Sequence, residues 1–255
     1  MKKFALIGEK LSHSFSPLLH RFFGSYSYVL CEVSIEELPS LLKNPDYSGF
    51  NVTIPYKQEV MVYCDFLSPE AKAIGSVNTL IKKPEGLWGY NTDVDGFLFL
   101  LHSAGFDPAG QKCLILGSGG SSLMVQNVLK TLHAKEIIVV SRKGEHHYAN
   151  LFLHQDAQLI VNTTPVGMYP HEGVSPIDLQ GFPCCKGVVD LIYNPLQTPL
   201  VLQALRLGIP AIGGLPMLVA QGRKASELFQ GISISEDRML NALAQMEKRF
   251  QPPDE

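Results

Sequence analysis

A lysine and an aspartate in the N-terminal part of the chain are the residues best suited to chemistry. Lys57 ends the block N-V-T-I-P-Y-K and Asp93 lies in G-Y-N-T-D-V-D-G, so each charge follows small polar residues. A cation and an anion on separate segments can together move a proton to or from a reacting hydroxyl. A dehydrogenase needs that proton as well as a hydride, so the pair is a candidate acid–base dyad. A structural salt bridge is the alternative.

Further short polar side chains near the dyad could bind the hydroxyl and carboxylate groups of a small polyol acid. They are Ser14, Ser16, Asn51, Thr53 and Asn78. Each hydroxyl of such a substrate needs both donors and acceptors, which these side chains supply. Taken singly, the serines could instead cap a helix that starts at Pro17, and the asparagines could form turns.

A glycine-rich loop predicts a second site, for a nucleotide. The apolar strand K-C-L-I-L leads directly into Gly117, Ser118, Gly119, Gly120 and Ser121, and then into a helix. Without side chains, the backbone N–H groups at a helix N-terminus can approach a pyrophosphate. Ser122 replaces the third glycine of the usual fingerprint, so a plain tight turn is the alternative.

The end of the next strand indicates which nicotinamide cofactor the loop would take. A carboxylate there would bond the ribose 2′-hydroxyl of NAD. The strand I-I-V-V ends instead in Ser141, Arg142 and Lys143. Two cations without an acid favour the 2′-phosphate of NADP. The alternative is that both are solvated loop charges.

Short apolar runs alternate with amphipathic stretches, which predicts an α/β fold with parallel sheets. We predict strands near 3–7, 27–33, 49–53, 112–116, 136–140, 157–161 and 187–191, and a hairpin of 77–82 with 87–90. Helices are predicted near 16–24, 35–43, 55–64, 94–104, 121–133, 198–207, 215–229 and 236–250. Pro55 would begin the third of these, which places Lys57 in its first turn. The tail beyond residue 250 should be frayed.

Composition limits the classes of protein that the chain can belong to. With 255 residues it can form one domain or two, and a net charge of −3 argues against nucleic acid binding. Five cysteines, two of them adjacent, suit free thiols in a reducing compartment. The apolar run that starts M-K-K-F-A-L-I-G is too short for a signal peptide, and no stretch approaches the roughly 18 apolar residues of a membrane span. We therefore expect a cytoplasmic protein.

Seven blocks, spread in order over nearly the whole chain, resemble the shikimate dehydrogenase family. They read S-H-S-F-S-P (12–17), N-V-T-I-P-Y-K (51–57), G-S-V-N-T-L (75–80), G-Y-N-T-D-V-D-G (89–96), G-S-G-G-S-S (117–122), N-T-T-P-V-G-M (162–168) and M-L-V-A-Q-G (217–222). The resemblance implies an NADP-dependent enzyme, a monomer or homodimer, that reversibly reduces 3-dehydroshikimate to shikimate on the route to aromatic amino acids. It implies a substrate domain of residues 1–97 plus 230–255, and a doubly wound parallel-sheet (Rossmann) NADP-binding domain of residues 98–229.

The resemblance also implies roles for individual residues. Ser14 and Ser16 would hold the substrate carboxylate, Asn51, Asn78 and Asp93 the ring hydroxyls, Thr53 would line the pocket, and Lys57 would be the acid and base. Tyr193 and Gln221 match further substrate-contacting positions. Leu191 and Gly214 match positions beside the nicotinamide, and Asn162 and Thr163 lie at a strand end where the cofactor should pass.

Two features of the sequence bear on specificity. The family usually has Asn-Arg-Thr where this chain has Ser141-Arg142-Lys143, and an arginine where His146 stands. This departure predicts either weaker NADP selectivity or a pH dependence through His146. Related quinate-active enzymes tend to carry serine in place of Thr53 and to lack Asn51, so N-V-T favours shikimate over quinate. A regulatory protein that binds shikimate without catalysis is a further alternative, against which the presence of both Lys57 and Asp93 argues.

Overall fold

The computed structural model describes residues 1–11 and 14–250. Ser12, His13 and the tail that we predict to be frayed lie outside the described residues. Contacts between Cα atoms divide the chain into two compact units, one of residues 1–95 with 219–244 and one of residues 96–218 with those from 245 onward. The first unit thus takes in the penultimate helix from residue 219, whereas we place that boundary at 230.

Strands and helices alternate along most of the chain. The strands are β1 Lys3–Gly8, β2 Ser27–Glu32, β3 Gly49–Val52, β4 Phe66–Leu67, β5 Thr79–Lys83, β6 Gly86–Tyr90, β7 Lys112–Leu116, β8 Glu136–Val140, β9 Leu159–Asn162, β10 Gly187–Asp190 and β11 Ala211–Ile212. The α-helices are α1 Ser16–Phe23, α2 Leu38–Lys43, α3 Pro69–Ile74, α4 Asp93–Ser103, α5 Gly120–Thr131, α6 Pro199–Arg206, α7 Leu215–Gln230 and α8 Glu236–Phe250. Shorter 3-10 helices cover Glu59–Tyr63, Tyr148–His154 and Leu179–Gly181.

The sheet of the first unit has the strand order β2-β1-β3-β5-β6-β4. β1 runs parallel to β2 and β3, as the alternation of strands and helices predicts. β5 is antiparallel to both β3 and β6, which confirms the predicted hairpin. The sheet is therefore mixed, and the last residues of β1, β3 and β6 lie at the same edge as the first residue of β5.

Both faces of this sheet are covered by apolar side chains. On one face Ala5, Ile7 and Phe50 pack with residues of α2 and α3. On the other, Phe4 stacks on Phe229 of α7 with ring centroids 4.0 Å apart. Because this face of β1 lies against α7, burial of apolar surface holds the C-terminal part of that helix to the first unit.

The prediction of a helix over 55–64 is wrong. Residues 54–58 form turns, and only Glu59–Tyr63 is helical, as a 3-10 helix. The Lys57 carbonyl accepts a hydrogen bond from the Val77 N–H at 2.8 Å, so it is tied to the segment before β5 and not to a helical turn. Helix α2 also begins later than predicted, at Leu38. A helix begun at residue 35 would have had Pro39 in its interior, where proline clashes with the preceding turn.

The second unit has the parallel strand order β11-β10-β9-β7-β8, typical of a Rossmann-like domain. Its strands are nearly continuous apolar runs, as expected where helices cover both faces of a parallel sheet. Leu114, Val140, Ile160 and Val188 form its core, and α6 adds Leu200. This arrangement confirms the predicted fold class.

Membrane spans, metal clusters and disulfides are all lacking from the described part of the chain. No helix within residues 1–11 and 14–250 has both the length and the apolar character needed to cross a membrane. Across the same residues, no group of three or more His, Cys, Asp and Glu side chains is placed to hold a metal ion. The five cysteines, all of which lie in these ranges, are free thiols.

Candidate active site

The mixed sheet brings separate polar blocks of the sequence to one edge of the first unit. Asn51 pairs with Thr79 across β3 and β5, and Thr79 pairs with Tyr90 across β5 and β6. Since β5 is antiparallel to its two neighbours, the blocks after β3, before β5 and after β6 meet there. Lys57, Asn78 and Asp93 lie in these blocks, so residues far apart in the sequence become neighbours.

Lys57 and Asp93 form an ion pair, with 2.5 Å between Lys57 Nζ and Asp93 Oδ2. The two side chains are 18% and 11% exposed, so the pair is shielded from water on most sides but still reachable by a small molecule. Asp93 is the first residue of α4, where the helix dipole favours a carboxylate. Lys57 Nζ donates a hydrogen bond to Asp93 Oδ2, so the two groups predicted as a pair are in direct contact.

Asn78 orients Asp93. Its amide nitrogen donates to Asp93 Oδ1 at 2.9 Å and to Thr92 Oγ1 at 3.0 Å. Its amide oxygen accepts from the Thr92 N–H at 2.8 Å and from Thr79 Oγ1 at 3.0 Å. Both donors and both acceptor positions of Asn78 are therefore used within the protein. The side chain is a rigid support beside the carboxylate.

The buried residues that complete this cluster were not predicted from the sequence to be functional. Thr79 and Thr92 are at most 1% exposed, and both hydrogen-bond Asn78. Asn91 is buried too, and its side chain accepts from the Asp93 N–H at 3.1 Å. All three lie inside the blocks G-S-V-N-T-L and G-Y-N-T-D-V-D-G, so the signal that could have found them is their position beside asparagine and aspartate.

Asn51 is held in the same cluster and is 6% exposed. Its amide nitrogen donates to Thr79 Oγ1 at 3.0 Å and to the Asn78 carbonyl at 3.3 Å. Its amide oxygen accepts from the Tyr28 hydroxyl at 2.8 Å. The side chain of His20 hydrogen-bonds the Asn51 side chain as well.

Ser14 and Ser16 lie next to each other at the start of α1. Ser14 Oγ donates to Ser16 Oγ and accepts from the Ser16 N–H, each at 3.2 Å. The residue that precedes the helix is Phe15, and its side chain makes no capping bond. Both serine side chains are half-buried. Thr53 follows β3 at the same sheet edge, with its N–H donating to the Ile7 carbonyl at 2.9 Å.

The two other predicted substrate residues fall in different units. Gln221 lies on α7 in the part that belongs to the first unit, and Tyr193 follows β10 in the second unit. Burial raises the pKa of Tyr193. Its ring lies 6.2 Å from that of Phe250, measured between centroids.

The glycine loop of the second unit has the local structure that a phosphate group requires. Gly117 has φ +106°, and a Cβ atom there would lie 2.7 Å from Thr163 Oγ1. A Cβ at Gly119 or Gly120 would meet no atom within 4 Å, so there is open space beside the backbone at these two glycines. Gly119 precedes α5, whose N-terminus favours an anion. Ser118 and Ser121 flank this opening, and the donor set fits a dinucleotide phosphate.

The loop after β8 presents two cations. A hydrogen bond of 3.0 Å from the Ser141 N–H to the His146 carbonyl closes the loop, and Arg142 and Lys143 within it are exposed. The side chain of His146 contacts His154, with 3.0 Å between His146 Nδ1 and His154 Nε2. The histidine therefore has a partner of its own within the second unit, and its effect on cofactor selectivity stays a prediction.

A buried aspartate that we did not predict from the sequence contacts Asn162, one of the other predicted cofactor residues. Asp190, at the end of β10, is 0% exposed and accepts from Asn162 Nδ2 at 3.0 Å and from Thr198 Oγ1 at 2.6 Å. Burial raises its pKa to about 6, against smaller opposing effects of its hydrogen bonds. The next residue, Leu191, has its carbonyl against Gly214, where no Cβ would fit.

Known proteins are similar to this chain over nearly its whole length. The model of the shikimate dehydrogenase substrate binding domain matches residues 6–80. A protein of Clostridium perfringens (strain SM101 / Type A), named shikimate dehydrogenase (NADP(+)), is 36% identical over 271 residues, which cover 98% of this chain and 100% of that protein. A relative of the same name from Syntrophomonas wolfei is 34% identical over 97% of this chain and 96% of its own.

Solved structures agree over the same length. A chorismate mutase/shikimate 5-dehydrogenase fusion protein from Clostridium acetobutylicum has a TM-score of 0.94 at 36% identity and covers 99% of both chains. Shikimate 5-dehydrogenase from Thermus thermophilus, solved in complex with NADP(H) and shikimate, has a TM-score of 0.86 at 32% identity, over 96% of this chain and 99% of that one. With relatives above 30% identity along nearly its whole length, the chain belongs to the shikimate dehydrogenase family.

Proposed function

We propose that the protein is an NADP-dependent shikimate dehydrogenase that reversibly reduces 3-dehydroshikimate to shikimate. The observation that carries the proposal is the Lys57–Asp93 ion pair, whose charged atoms lie 2.5 Å apart at a polar sheet edge and are partly shielded from water. The polar side chains around it suit a small substrate with several hydroxyls. The family membership of the chain supports the same reaction.

The dyad handles the proton of this reaction. When NADPH is bound it supplies the hydride, and the 3-keto group of the substrate then carries a developing alkoxide. The Lys57 ammonium donates a proton to that oxygen, and in the oxidative direction the neutral amine takes the proton back. Asp93 holds the Lys57 ammonium and the reacting hydroxyl in place, while Asn78 fixes the carboxylate.

The remaining polar groups bind the substrate. Ser14 and Ser16 would hold the carboxylate with their two adjacent hydroxyls. Asn51 would contact a ring hydroxyl of the substrate, as the resemblance to the family implies. Thr53 would line the pocket. Gln221 and Tyr193 complete the proposed contacts.

The second unit would hold the cofactor. The open space beside Gly119 and Gly120 at the N-terminus of α5 suits the pyrophosphate, and the exposed Arg142 and Lys143 suit the 2′-phosphate of NADP. Leu191 and Gly214 would lie beside the nicotinamide, and Asn162 and Thr163 at the strand end where the cofactor passes.

The test is NADP reduction by the purified protein with shikimate, followed by absorbance of the nicotinamide. The kcat of the variant Lys57→Ala should be about 10²–10⁴-fold lower than that of the parent. The variant should still bind shikimate in calorimetry. Lys83→Ala is the matched control, because Lys83 is a hydrogen-bonded lysine of the same unit that contacts Tyr90 and not the dyad. Its kcat should equal that of the parent.

Two results would contradict the proposal. A higher kcat/KM with quinate than with shikimate would make the protein a quinate dehydrogenase. Shikimate binding without turnover with NADP or NAD would make it a binding or regulatory protein. Location in the cytoplasm and a monomeric or homodimeric state stay predictions, and sedimentation of the purified protein would measure the latter.

A further inference from the structure

The last residues of three strands form a row across the parallel sheet of the second unit. Strand pairing aligns Leu116 of β7 with Asn162 of β9, and Asn162 with Asp190 of β10. Ligands of open parallel sheets bind just beyond the carboxyl ends of the strands. The residues that directly follow this row are the predicted cofactor residues Gly117, Thr163 and Leu191.

We propose that Asp190 is a positioning residue for the cofactor, and that it fixes the orientation of the Asn162 amide and, through it, the loop of residues 162–166. The inference deepens the proposed function and rests on it. Asp190 lies outside the seven blocks, and the resemblance assigns it no role. Because its side chain is 0% exposed, Asp190 would act on the cofactor through the residues that it holds.

The carboxylate of Asp190 joins three segments of the second unit. Its Oδ1 accepts from Asn162 Nδ2 at 3.0 Å and from the Ile192 N–H at 3.1 Å. Its Oδ2 accepts from Thr198 Oγ1 at 2.6 Å. Thr198 caps α6, where its Oγ1 also accepts from the Val201 N–H. One carboxylate therefore binds the end of β9, the segment after β10 and the start of α6.

Asp190 determines which way the Asn162 amide faces. A carboxylate can only accept hydrogen bonds, so Asn162 must turn Nδ2 towards it and Oδ1 towards the loop. There Oδ1 accepts from the Thr164 N–H at 3.0 Å and from Thr164 Oγ1 at 2.7 Å. The Val166 carbonyl accepts from Nδ2 at 3.5 Å, and the Val166 N–H donates to Thr164 Oγ1 at 3.2 Å. With its donors and acceptors used in this way, the Asn162 side chain shapes the loop.

The loop held by Asn162 lies against both neighbouring strand ends. Thr163 Oγ1 donates to the Leu116 carbonyl at 2.7 Å, and a Cβ at Gly117 would lie 2.7 Å from the same Thr163 oxygen. On the other side, the Leu191 N–H donates to the Asn162 carbonyl at 3.0 Å. A displacement of the loop would therefore disturb the glycine loop and the segment that carries Leu191, where parts of the cofactor are predicted to bind.

The experiment measures the Kd of NADP by calorimetry for the parent, Asp190→Ala and Asp190→Asn. Alanine removes every acceptor of the carboxylate, and we expect the Kd to rise at least about ten-fold, the effect of one lost hydrogen bond to a charged group. Asparagine keeps an oxygen that can accept from Asn162 and from the Ile192 N–H. The Kd of Asp190→Asn should therefore stay within about three-fold of the parent value.

Two control variants separate positioning from general effects. Asp178→Ala removes an exposed carboxylate of the same unit that likewise accepts from a side-chain amide, of Gln203, and from a backbone N–H, of Gln180. Val188→Ala truncates a buried side chain of β10 itself and should lower the thermal stability. Neither should raise the Kd of NADP more than about three-fold.

Asn162→Ala tests the same connection if Asp190→Ala does not fold. It removes the amide that Asp190 orients, so the Kd of NADP should again rise about ten-fold. An unchanged Kd in this variant would overturn the inference.

Hydrogen exchange in the cofactor-free protein measures the positioning directly. Compared with the Leu114 amide in β7, the Thr164 amide should exchange about ten-fold faster in Asp190→Ala than in the parent, because its acceptor on Asn162 is no longer held. A general loss of stability would accelerate both amides equally. Equal acceleration, an unchanged Kd in Asp190→Ala, or an equal rise of the Kd in Val188→Ala would each overturn the inference.

The outcome is separable from that of the proposed function. If the parent binds NADP but does not turn over shikimate, the proposed function fails, and the ratio of the NADP Kd values of Asp190→Ala and parent still tests Asp190. A ratio near one would then overturn the inference, and a ratio of about ten would support it. A parent that binds no NADP would contradict both.

Discussion

Asp190 makes the stability of the second unit depend on pH in a direction opposite to that of most carboxylates. Its pKa rises from 3.8 to about 6, chiefly because the group is buried. Between these two values the unfolded chain has lost the proton that the folded protein retains. The stabilisation is therefore fully present below pH 3.8 and is lost as pH rises through about 6.

The magnitude follows from the shift. A change of one pKa unit corresponds to about 1.4 kcal/mol, so a rise of roughly two units lowers the free energy of unfolding by about 3 kcal/mol between pH 4 and pH 7. The variant Asp190→Asn keeps an oxygen that can accept from Asn162 and from the Ile192 N–H, but it has no proton to lose in this range. Its free energy of unfolding should lack this part of the pH dependence.

The assay is urea unfolding of parent and Asp190→Asn at several pH values from 4 to 7. The difference in free energy of unfolding, parent minus variant, should become more negative by about 3 kcal/mol over this range. Asp178→Asn removes a carboxylate from an exposed aspartate of the same unit and controls for the loss of charge alone. A difference that stays constant within about 1 kcal/mol, or that changes in the opposite direction, would refute the reasoning.

Three further variants test other parts of the structure. Replacing both Arg142 and Lys143 by alanine should raise the KM for NADP at least about ten-fold and leave the KM for NAD unchanged, because only NADP carries the 2′-phosphate. Equal effects on the KM of both cofactors would contradict binding of the 2′-phosphate by this loop. Gly117→Ala should cost about 1–3 kcal/mol in thermal unfolding and weaken NADP binding, since its φ is +106°, whereas Gly173→Ala, where a Cβ meets nothing within 4 Å, should do neither. Burial lowers the pKa of His20 to about 3, so the stabilisation from its neutral ring is present above pH 6.5 and is lost as pH falls towards 3. The parent should therefore lose about 3 kcal/mol more of its free energy of unfolding between pH 7 and pH 4 than His20→Gln does. An equal loss in parent and variant would be evidence against this.

Much of the candidate site could be predicted because its residues sit in short blocks with local signals. Gly117 follows an apolar strand and precedes a helix, and the structure has both elements there. Lys57 and Asp93 are predicted as a pair from their residue types, and the structure places them in contact. Local signals also misled. Pro55 suggests a helix start, but the backbone around Lys57 is bound to the segment before β5.

One helix that was not predicted nevertheless has clear signals in the sequence. Ser68, Pro69 and Glu70 are a helix start, and Gly75 is a helix stop; the structure forms α3 between them, with Ser68 Oγ accepting from the Ala71 N–H. The short strand β4 has no comparable signal. Two residues carry no alternation of polar and apolar positions, so its pairing with β6 depends on the sheet and not on its own sequence.

Local sequence is enough to predict the α/β class, the glycine loop, the two charges of the dyad and the polar blocks around them, because strand and helix periods, caps and glycine conformations depend on near neighbours in the chain. Which of these groups touch depends on the tertiary structure. The register of β3 against β5 sets Asn51 beside Thr79, and the packing of α1 on β2 sets His20 against Tyr28. The raised pKa of Asp190 likewise comes from burial by residues distant in sequence. Hydrogen-bond partners and burial are properties of the assembled sheets, and no local pattern encodes them.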